Sequence, residues 1–177
     1  MTMETLYYSH FNSPIGPLTI GISERGLVLL NFGAERLSPL KKPIAWVKSE
    51  EKIRPYAHEL REYFAGKRKH FTFSLDLRGT KFQKACWRAL LRIPYGKTRS
   101  YGDIARGVGS PLAYRAVGMA NHQNPVAIVV PCHRVIASDG TLGGYGGGLD
   151  IKKMLLRLEG ARGRVEITPK RARRAAI

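Results

Sequence analysis

The sequence predicts an α+β protein in two parts: a small N-terminal antiparallel sheet carrying one helix, packed on a mostly helical C-terminal part with a helix-turn-helix. Short apolar runs at Leu6 to Phe11, Leu18 to Ile22 and Leu27 to Phe32 are separated by turn residues. Apolar residues then recur at helical spacing from Ile53, and the pattern restarts after Arg78-Gly79. With 177 residues, 44% hydrophobic and 24% charged, the chain can bury two modest cores and is too apolar for wholesale disorder. The expected divisions are residues 1–78, residues 79–162 and a basic tail at 163–177.

The first three runs read as a meander because Asn12-Ser13-Pro14 with Gly16, and then Ser23-Glu24-Arg25-Gly26, supply turn chemistry between them. Leu37 to Pro43 shows no clear period, so a connection is expected there. Ile53, Tyr56, Ala57, Leu60, Tyr63 and Phe64 make a helical stripe that stops at Gly66 and is expected to start near Pro55. Phe71, Phe73 and Leu75 alternate with polar residues, which predicts another strand.

Thr80 and Gln83 have the spacing of a capping box, opening a helix with Phe82, Cys86, Ala89, Leu90 and Ile93 on its apolar face. Ser100 to Ala105 begins a second helix, Gly107 to Pro111 makes a turn, and Leu112 to Ala120 makes a third. Val126 to Val130, bracketed by Pro125 and Pro131, reads as a buried strand. After the glycine-rich stretch Gly143 to Gly148, the residues Ile151, Met154, Leu155 and Leu158 give a last amphipathic helix, stopped by Gly160. No repeat of solenoid length is visible.

Thirty Lys and Arg against 13 Asp and Glu give a net charge of +17, of which the segment from 161 onward supplies +5. The remaining +12 lies on the body, which points to a polyanion partner bound through phosphate neutralisation. A generally basic, soluble surface accounts for the same number with no partner. No apolar run is long enough to span a bilayer, so a soluble cytoplasmic protein is expected. Two cysteines, Cys86 and Cys132, are too few for a four-cysteine zinc site, and no metal is expected.

The sharpest local feature is Pro131-Cys132-His133-Arg134-Val135. A thiolate is the reactive form of cysteine, and cationic or imidazole neighbours favour it, so Cys132 is a candidate nucleophile. The bland alternative is a small buried hydrophobe, which is how Cys86 reads on its helix face. If Cys132 follows a strand directly, His133 points to the opposite face and needs a bend or a bridging water to act on it. The helices around Gly107 to Pro111 have DNA-binding spacing, and Ala113, Ala116, Gly118 and Ala120 would allow close approach to a surface, but two packed helices without a DNA role have the same look.

These pieces occur in one order. Ser100-Tyr101, Tyr114-Arg-Ala-Val-Gly118, Asn124-Pro-Val126, the Cys132 motif, Gly144-Tyr-Gly-Gly-Gly148 and Leu158-Glu-Gly160 together resemble the O6-alkylguanine-DNA alkyltransferases, continuously from about Gly79 to Arg162. The resemblance implies a ribonuclease H-like N-terminal part and an active C-terminal part. It implies that Cys132 accepts an alkyl group from O6-alkylguanine, and from O4-alkylthymine as a further substrate, once and irreversibly. His133 would take the thiol proton through a water, with Glu159 orienting the imidazole. Tyr101 would crowd the nucleotide's phosphate and protonate guanine N3, and Asn124 would be a hinge fixing the turn into the active-site segment.

The same resemblance gives Arg115 the place of the flipped-out nucleotide, sets the second helix with Ala113 and Ala116 in the minor groove, and puts Gly102, Ser110 and Ser138 on the phosphate side of the DNA. Val135, Tyr145, Gly146 and Gly147 would form the base pocket. No cofactor is implied; the partner is double-stranded DNA with alkylated bases, and a nucleoid-associated monomer is expected. Tyr114, Asn121 and Gly146 depart from residues common in the family, which leaves the groove fit and adduct size open. Rival readings are a module that recognises damage without repairing it, a cysteine hydrolase built on Cys132, His133 and Glu159, and a plain helix-turn-helix regulator.

Overall fold

In the computed structural model, residues 3–34 and 44–161 are described. The expected connection from Leu37 to Pro43 and the basic tail at 163–177 lie outside these residues. Strands β1 (Glu4–Ser13), β2 (Gly16–Ser23) and β3 (Gly26–Phe32) form the expected antiparallel meander, with tight turns closing Ser13 on Gly16 and Ser23 on Gly26. A fourth strand not foreseen in the sequence, β4 (Ile44–Lys48), adds parallel to β1, giving the order β3-β2-β1-β4. Its five residues carry no two-residue alternation long enough to mark a strand without a partner.

Helix α1 (Glu50–Phe64) lies on the sheet face that carries Phe11, Leu18, Ile20 and Leu30, and buries Ile53, Ala57, Leu60 and Tyr63. It begins before Pro55, because the Ser49 side chain accepts from Lys52 N and caps the first turn. The cap outweighs the amide that Pro55 cannot offer to Glu51 O. Residues 71–75 do not form a strand. Only Leu75 bridges Leu27, with Leu27 N donating to Ser74 O at 2.9 Å and Asp76 N to Leu27 O at 2.8 Å. Phe71 and Phe73 stack with Tyr63 and Tyr56 instead, so aromatic packing sets their alternation.

Helix α2 (Lys81–Leu91) opens with both halves of the Thr80–Gln83 capping box, and Trp87 ties it to the next layer through Nε1 donating to Ala120 O at 2.9 Å. Helices α3 (Tyr101–Gly107) and α4 (Tyr114–His122) make the helix-turn-helix, α4 starting two residues later than the sequence suggests. Two-residue strands β5 (Arg99–Ser100) and β6 (Val135–Ile136) pair in parallel, and α5 (Leu149–Leu158) closes the fold.

The apolar run at Val126 to Val130 is not a strand. Val126 alone bridges Leu30, and the chain then coils through tight turns, Val129 N donating to Ala127 O and Val130 N to Val126 O. Ile128 sits at φ 72°, a strained left-handed conformation for a β-branched residue. Leu30 N donates to Pro125 O at 2.8 Å and Ala127 N to Leu30 O at 3.0 Å, so the outer edge of β3 carries this coil.

Candidate active site

Cys132 opens a short 3-10 turn, Cys132–Arg134, instead of following a strand. Successive side chains then diverge by about 120° and not 180°, so Cys132 and His133 need not face opposite ways. The coil before it is held by Asn124. Its Nδ2 donates to Val130 O at 2.8 Å and to Cys132 Sγ at 3.2 Å, while its Oδ1 accepts from Val126 N at 3.0 Å.

Cys132 is 7% exposed and lines a cavity of about 470 Å³ with Tyr101, Gly118, Asn121, His122, Gly144, Tyr145 and Gly146. That size is ordinary for a small-molecule site, about 300–1,000 Å³. Burial pushes the Cys132 thiol up from its usual range, against the lowering from Asn124, Lys152 and Tyr145. The expectation of a thiol ionised by its neighbours is therefore reversed in this state: the group rests protonated and needs a base.

His133 is fully buried. Its Nε2 lies 2.7 Å from Glu159 Oε1, and because a carboxylate can only accept, the hydrogen sits on Nε2. Nδ1 is left as a lone-pair acceptor and has no hydrogen-bond partner among the described residues. Desolvation lowers the imidazole from its ordinary value while Glu159 raises it, so it is a neutral base beside a charge that favours its protonated form. Glu159 follows the last residue of α5, where a carboxylate opposes the helix dipole and calls for cations. Arg134 answers with a fork, Nε to Oε2 at 2.8 Å and Nη2 to Oε1 at 3.0 Å, and its Nη1 donates to Ile93 O at 2.6 Å. These donors outweigh burial and hold the Glu159 carboxyl far below the usual carboxylate range.

Tyr101 is set by the α3 cap, where Ser100 Oγ accepts from Asp103 N at 3.0 Å and Asp103 Oδ2 accepts from Ser100 N at 2.8 Å. The β5–β6 pairing brings this cap beside the Cys132 segment. Gly143, at φ +68°, lets the Tyr101 hydroxyl approach, since a Cβ there would sit 3.0 Å from it. Burial raises the phenol and keeps its proton on.

Of the expected pocket residues, Tyr145 and Gly146 line the cavity, and Val135 and Gly147 are not among its lining residues. Val135 instead gives its carbonyl to Lys152, and a Cβ on Gly147 would strike the Phe32 ring. Arg115 and Ala116 stand exposed on α4, Ala113 precedes it, Ser110 lies in the turn and Gly102 in α3. Ser138 is exposed beside Arg99 and Ser100 in a separate shallow cleft. Asn121 is buried on the cavity wall with neither amide atom hydrogen-bonded among the described residues.

Three features were missed in the sequence. Lys152 is fully buried and donates to the carbonyls of Val135 (2.6 Å), Leu142 (2.5 Å) and Gly144 (3.3 Å), fastening the pocket loop to α5. Burial pulls its ammonium down to about 8. Its position in one helical stripe with Leu155 and Leu156 was the signal. His122, given no role in the sequence, stands at the cavity rim, and Tyr63, read as apolar stripe, bonds Glu159. Among the described residues no cluster of three or more His, Cys, Asp or Glu is placed to hold a metal ion, and no helix is long and apolar enough to cross a membrane.

Two family models match the chain: the 6-O-methylguanine DNA methyltransferase ribonuclease-like domain over residues 6–77, and the DNA binding domain of the same family over residues 81–161. The chain belongs to the 6-O-methylguanine DNA methyltransferase family. A relative from Methanosarcina acetivorans, a methylated-DNA--protein-cysteine methyltransferase, is 51% identical over 156 residues, covering 88% of this chain and 99% of its own length. The crystal structure of Mycobacterium tuberculosis O6-methylguanine methyltransferase matches with a TM-score of 0.79 at 47% identity, covering 89% of this chain and 94% of that one. The Mycobacterium tuberculosis OGT in complex with DNA matches with a TM-score of 0.78 at 46% identity, covering 89% and 93%. The α+β architecture expected from the sequence is thus that of the 6-O-methylguanine DNA methyltransferases.

Proposed function

We propose that this protein binds DNA and repairs it by moving the alkyl group of O6-alkylguanine to Cys132 Sγ, once per molecule, with O4-alkylthymine as a further substrate. The observation that carries the assignment to Cys132 is its place on the cavity wall next to a histidine with one nitrogen tied to a carboxylate and the other without a partner among the described residues. A base inside a duplex cannot reach such a recessed sulfur, so the nucleotide must flip out. Arg115, exposed on α4, takes its place in the stack, with the helix and its small residues Ala113 and Ala116 in the minor groove. Gly102, Ser110 and Ser138 lie along the phosphates.

In the reaction the Cys132 proton passes through one bridging water to His133 Nδ1, and Glu159 stabilises the imidazolium. The sulfur lone pair forms the S–C bond as the C–O6 bond breaks and its electron pair leaves with guanine. Tyr101 donates its proton to guanine N3, and every electron pair and proton is accounted for without a cofactor. The product is a thioether, which has no easy leaving group, so the protein is consumed. It acts as a monomer in the cytoplasm, on the nucleoid.

The test is intact and peptide mass spectrometry after incubation with a duplex carrying O6-methylguanine. One methyl on the Cys132 peptide and one repaired base per protein are expected. Methyl on Cys86, or repeated turnover by one molecule, sinks the assignment.

A further inference from the structure

One side chain of the N-terminal half reaches the reacting cluster. Tyr63, near the end of α1, is fully buried, and its hydroxyl donates to Glu159 Oε1 at 2.7 Å, 96 positions away. The same oxygen accepts from His133 Nε2 at 2.7 Å and Arg134 Nη2 at 3.0 Å, while Oε2 accepts from Arg134 Nε at 2.8 Å and Gly96 N at 3.4 Å. Tyr63 is the one donor of this set that comes from the sheet-and-helix half. Its ring is wedged against Phe64, Phe71 and Tyr95 at centroid distances of 5.4, 5.5 and 6.2 Å, so the hydroxyl is held where it is.

A carboxylate oxygen shared between a phenol and an imidazole presents less charge to the imidazole than one that it holds without the phenol. It also cannot rotate away when a proton arrives on the ring. We propose that Tyr63 is a positioning residue for alkyl transfer, fixing Glu159 and sharing its charge so that His133 takes the Cys132 proton near neutral pH. The proposal rests on the alkyl-transfer reading above. The other titratable and charged groups that face the pair are Arg134 on the 3-10 turn, Lys152 on α5, Tyr95 after α2, and Cys132 and Tyr145 across the pocket.

The sign is fixed by the charge on Oε1. In Tyr63→Phe that oxygen is more negative, the imidazolium is favoured, and the acid limb of the transfer rate moves to higher pH. In protein carrying 3-fluorotyrosine at position 63, a stronger donor, the limb moves to lower pH.

The experiment measures single-turnover methyl transfer from O6-methylguanine duplex to Cys132 across the acid and neutral range, for wild type, Tyr63→Phe, the fluorotyrosine protein and Tyr95→Phe. Tyr95→Phe removes a half-buried hydroxyl whose ring packs on Tyr63 and which donates to Leu158 O at 3.2 Å, with no hydrogen bond to Glu159 among the described residues. Expected for Tyr63→Phe are a plateau rate about tenfold lower, the worth of one hydrogen bond to a charged group, and a limb raised by about half a pH unit. Tyr95→Phe, whose hydroxyl faces Glu159 without bonding to it, moves the limb by less than Tyr63→Phe does. A Tyr63→Phe limb that coincides with wild type, or shifts only as Tyr95→Phe does, overturns the proposal whatever happens to the rate or the melting temperature. Should Tyr63→Phe fail to fold, the fluorotyrosine protein decides: a limb unmoved or raised overturns it. Wild type that does not methylate Cys132 sinks the assigned activity instead, and the two failures are distinct.

Discussion

The cluster around Glu159 and the outer face of α4 contrast in how their side chains are held. In the cluster one buried carboxylate collects donors from α1, the segment after α2 and the 3-10 turn, and the neighbouring Lys152 spends its ammonium protons on three carbonyls. On α4 and the turn before it, Leu112, Tyr114, Arg115 and Met119 stand in solvent, and Arg115 lies 5.9 Å over the Tyr114 ring. In the proposed mechanism the reacting groups are preorganised before substrate arrives, whereas the α4 groups proposed to meet DNA acquire their partners on binding. Changes in the first region should therefore cost folding and chemistry together. Changes in the second should cost recognition alone.

The largest effect is expected from Glu159→Ala. It strands the Arg134 guanidinium and the His133 ring in the interior, and losing one partner of a buried ion pair costs about 3–5 kcal/mol. Urea unfolding measures it, and a loss below about 1 kcal/mol, the range of an exposed pair, breaks the contrast.

Acid should expose the same cluster. The Glu159 carboxyl is depressed in the fold, so its stabilisation is present above the unfolded carboxylate value of about 4.3 and is lost as pH falls through its lower folded value. His133, also depressed, adds in the same direction below about 6.5, because the unfolded chain binds that proton first. Stability should fall steadily from neutral pH downward, with a slope approaching about 1.4 kcal/mol per pH unit for each proton taken up. Glu159→Gln should flatten the part of the melting curve series below about pH 4.3. An unchanged slope there would place the acid lability elsewhere, with Asp76 next in line as a buried, depressed carboxylate.

Arg115→Ala tests the other region and should move stability by no more than about 0.5 kcal/mol, since the residue is exposed. Repair of O6-methylguanine in a duplex should slow about tenfold while reaction with the free base is unchanged. Equal slowing on both substrates removes the flipping role.

Much of the fold was legible because its signals are local. Turn residues at Asn12 to Gly16 and Ser23 to Gly26 gave the meander, and the Thr80–Gln83 spacing gave the start of α2. The failures share a cause. Val126 to Val130 is apolar enough for a strand, but burial rewards a coil of tight turns equally, and Asn124 and the Leu30 bridge decide between them. Strand β4 exists only because β1 offers it an edge, and Phe71 to Leu75 lost its strand to aromatic partners on α1. Of the candidate site, Cys132, His133 and Glu159 were named by resemblance, and the structure brings His133 and Glu159 into contact, whereas Lys152, Arg134 and Tyr63 were not assigned because a buried charge or hydroxyl does not reveal its partner in the sequence.

By itself the amino-acid order determined where helices begin, which faces are apolar, how basic the surface is and which thiol stands beside a histidine, since these depend on neighbours within a few positions. The protonation of that thiol, the hydrogen's place on the imidazole and the reach of Tyr63 into the second half were decided by the tertiary structure. Desolvation and hydrogen-bond geometry belong to groups brought together from distant positions, and no local pattern carries them.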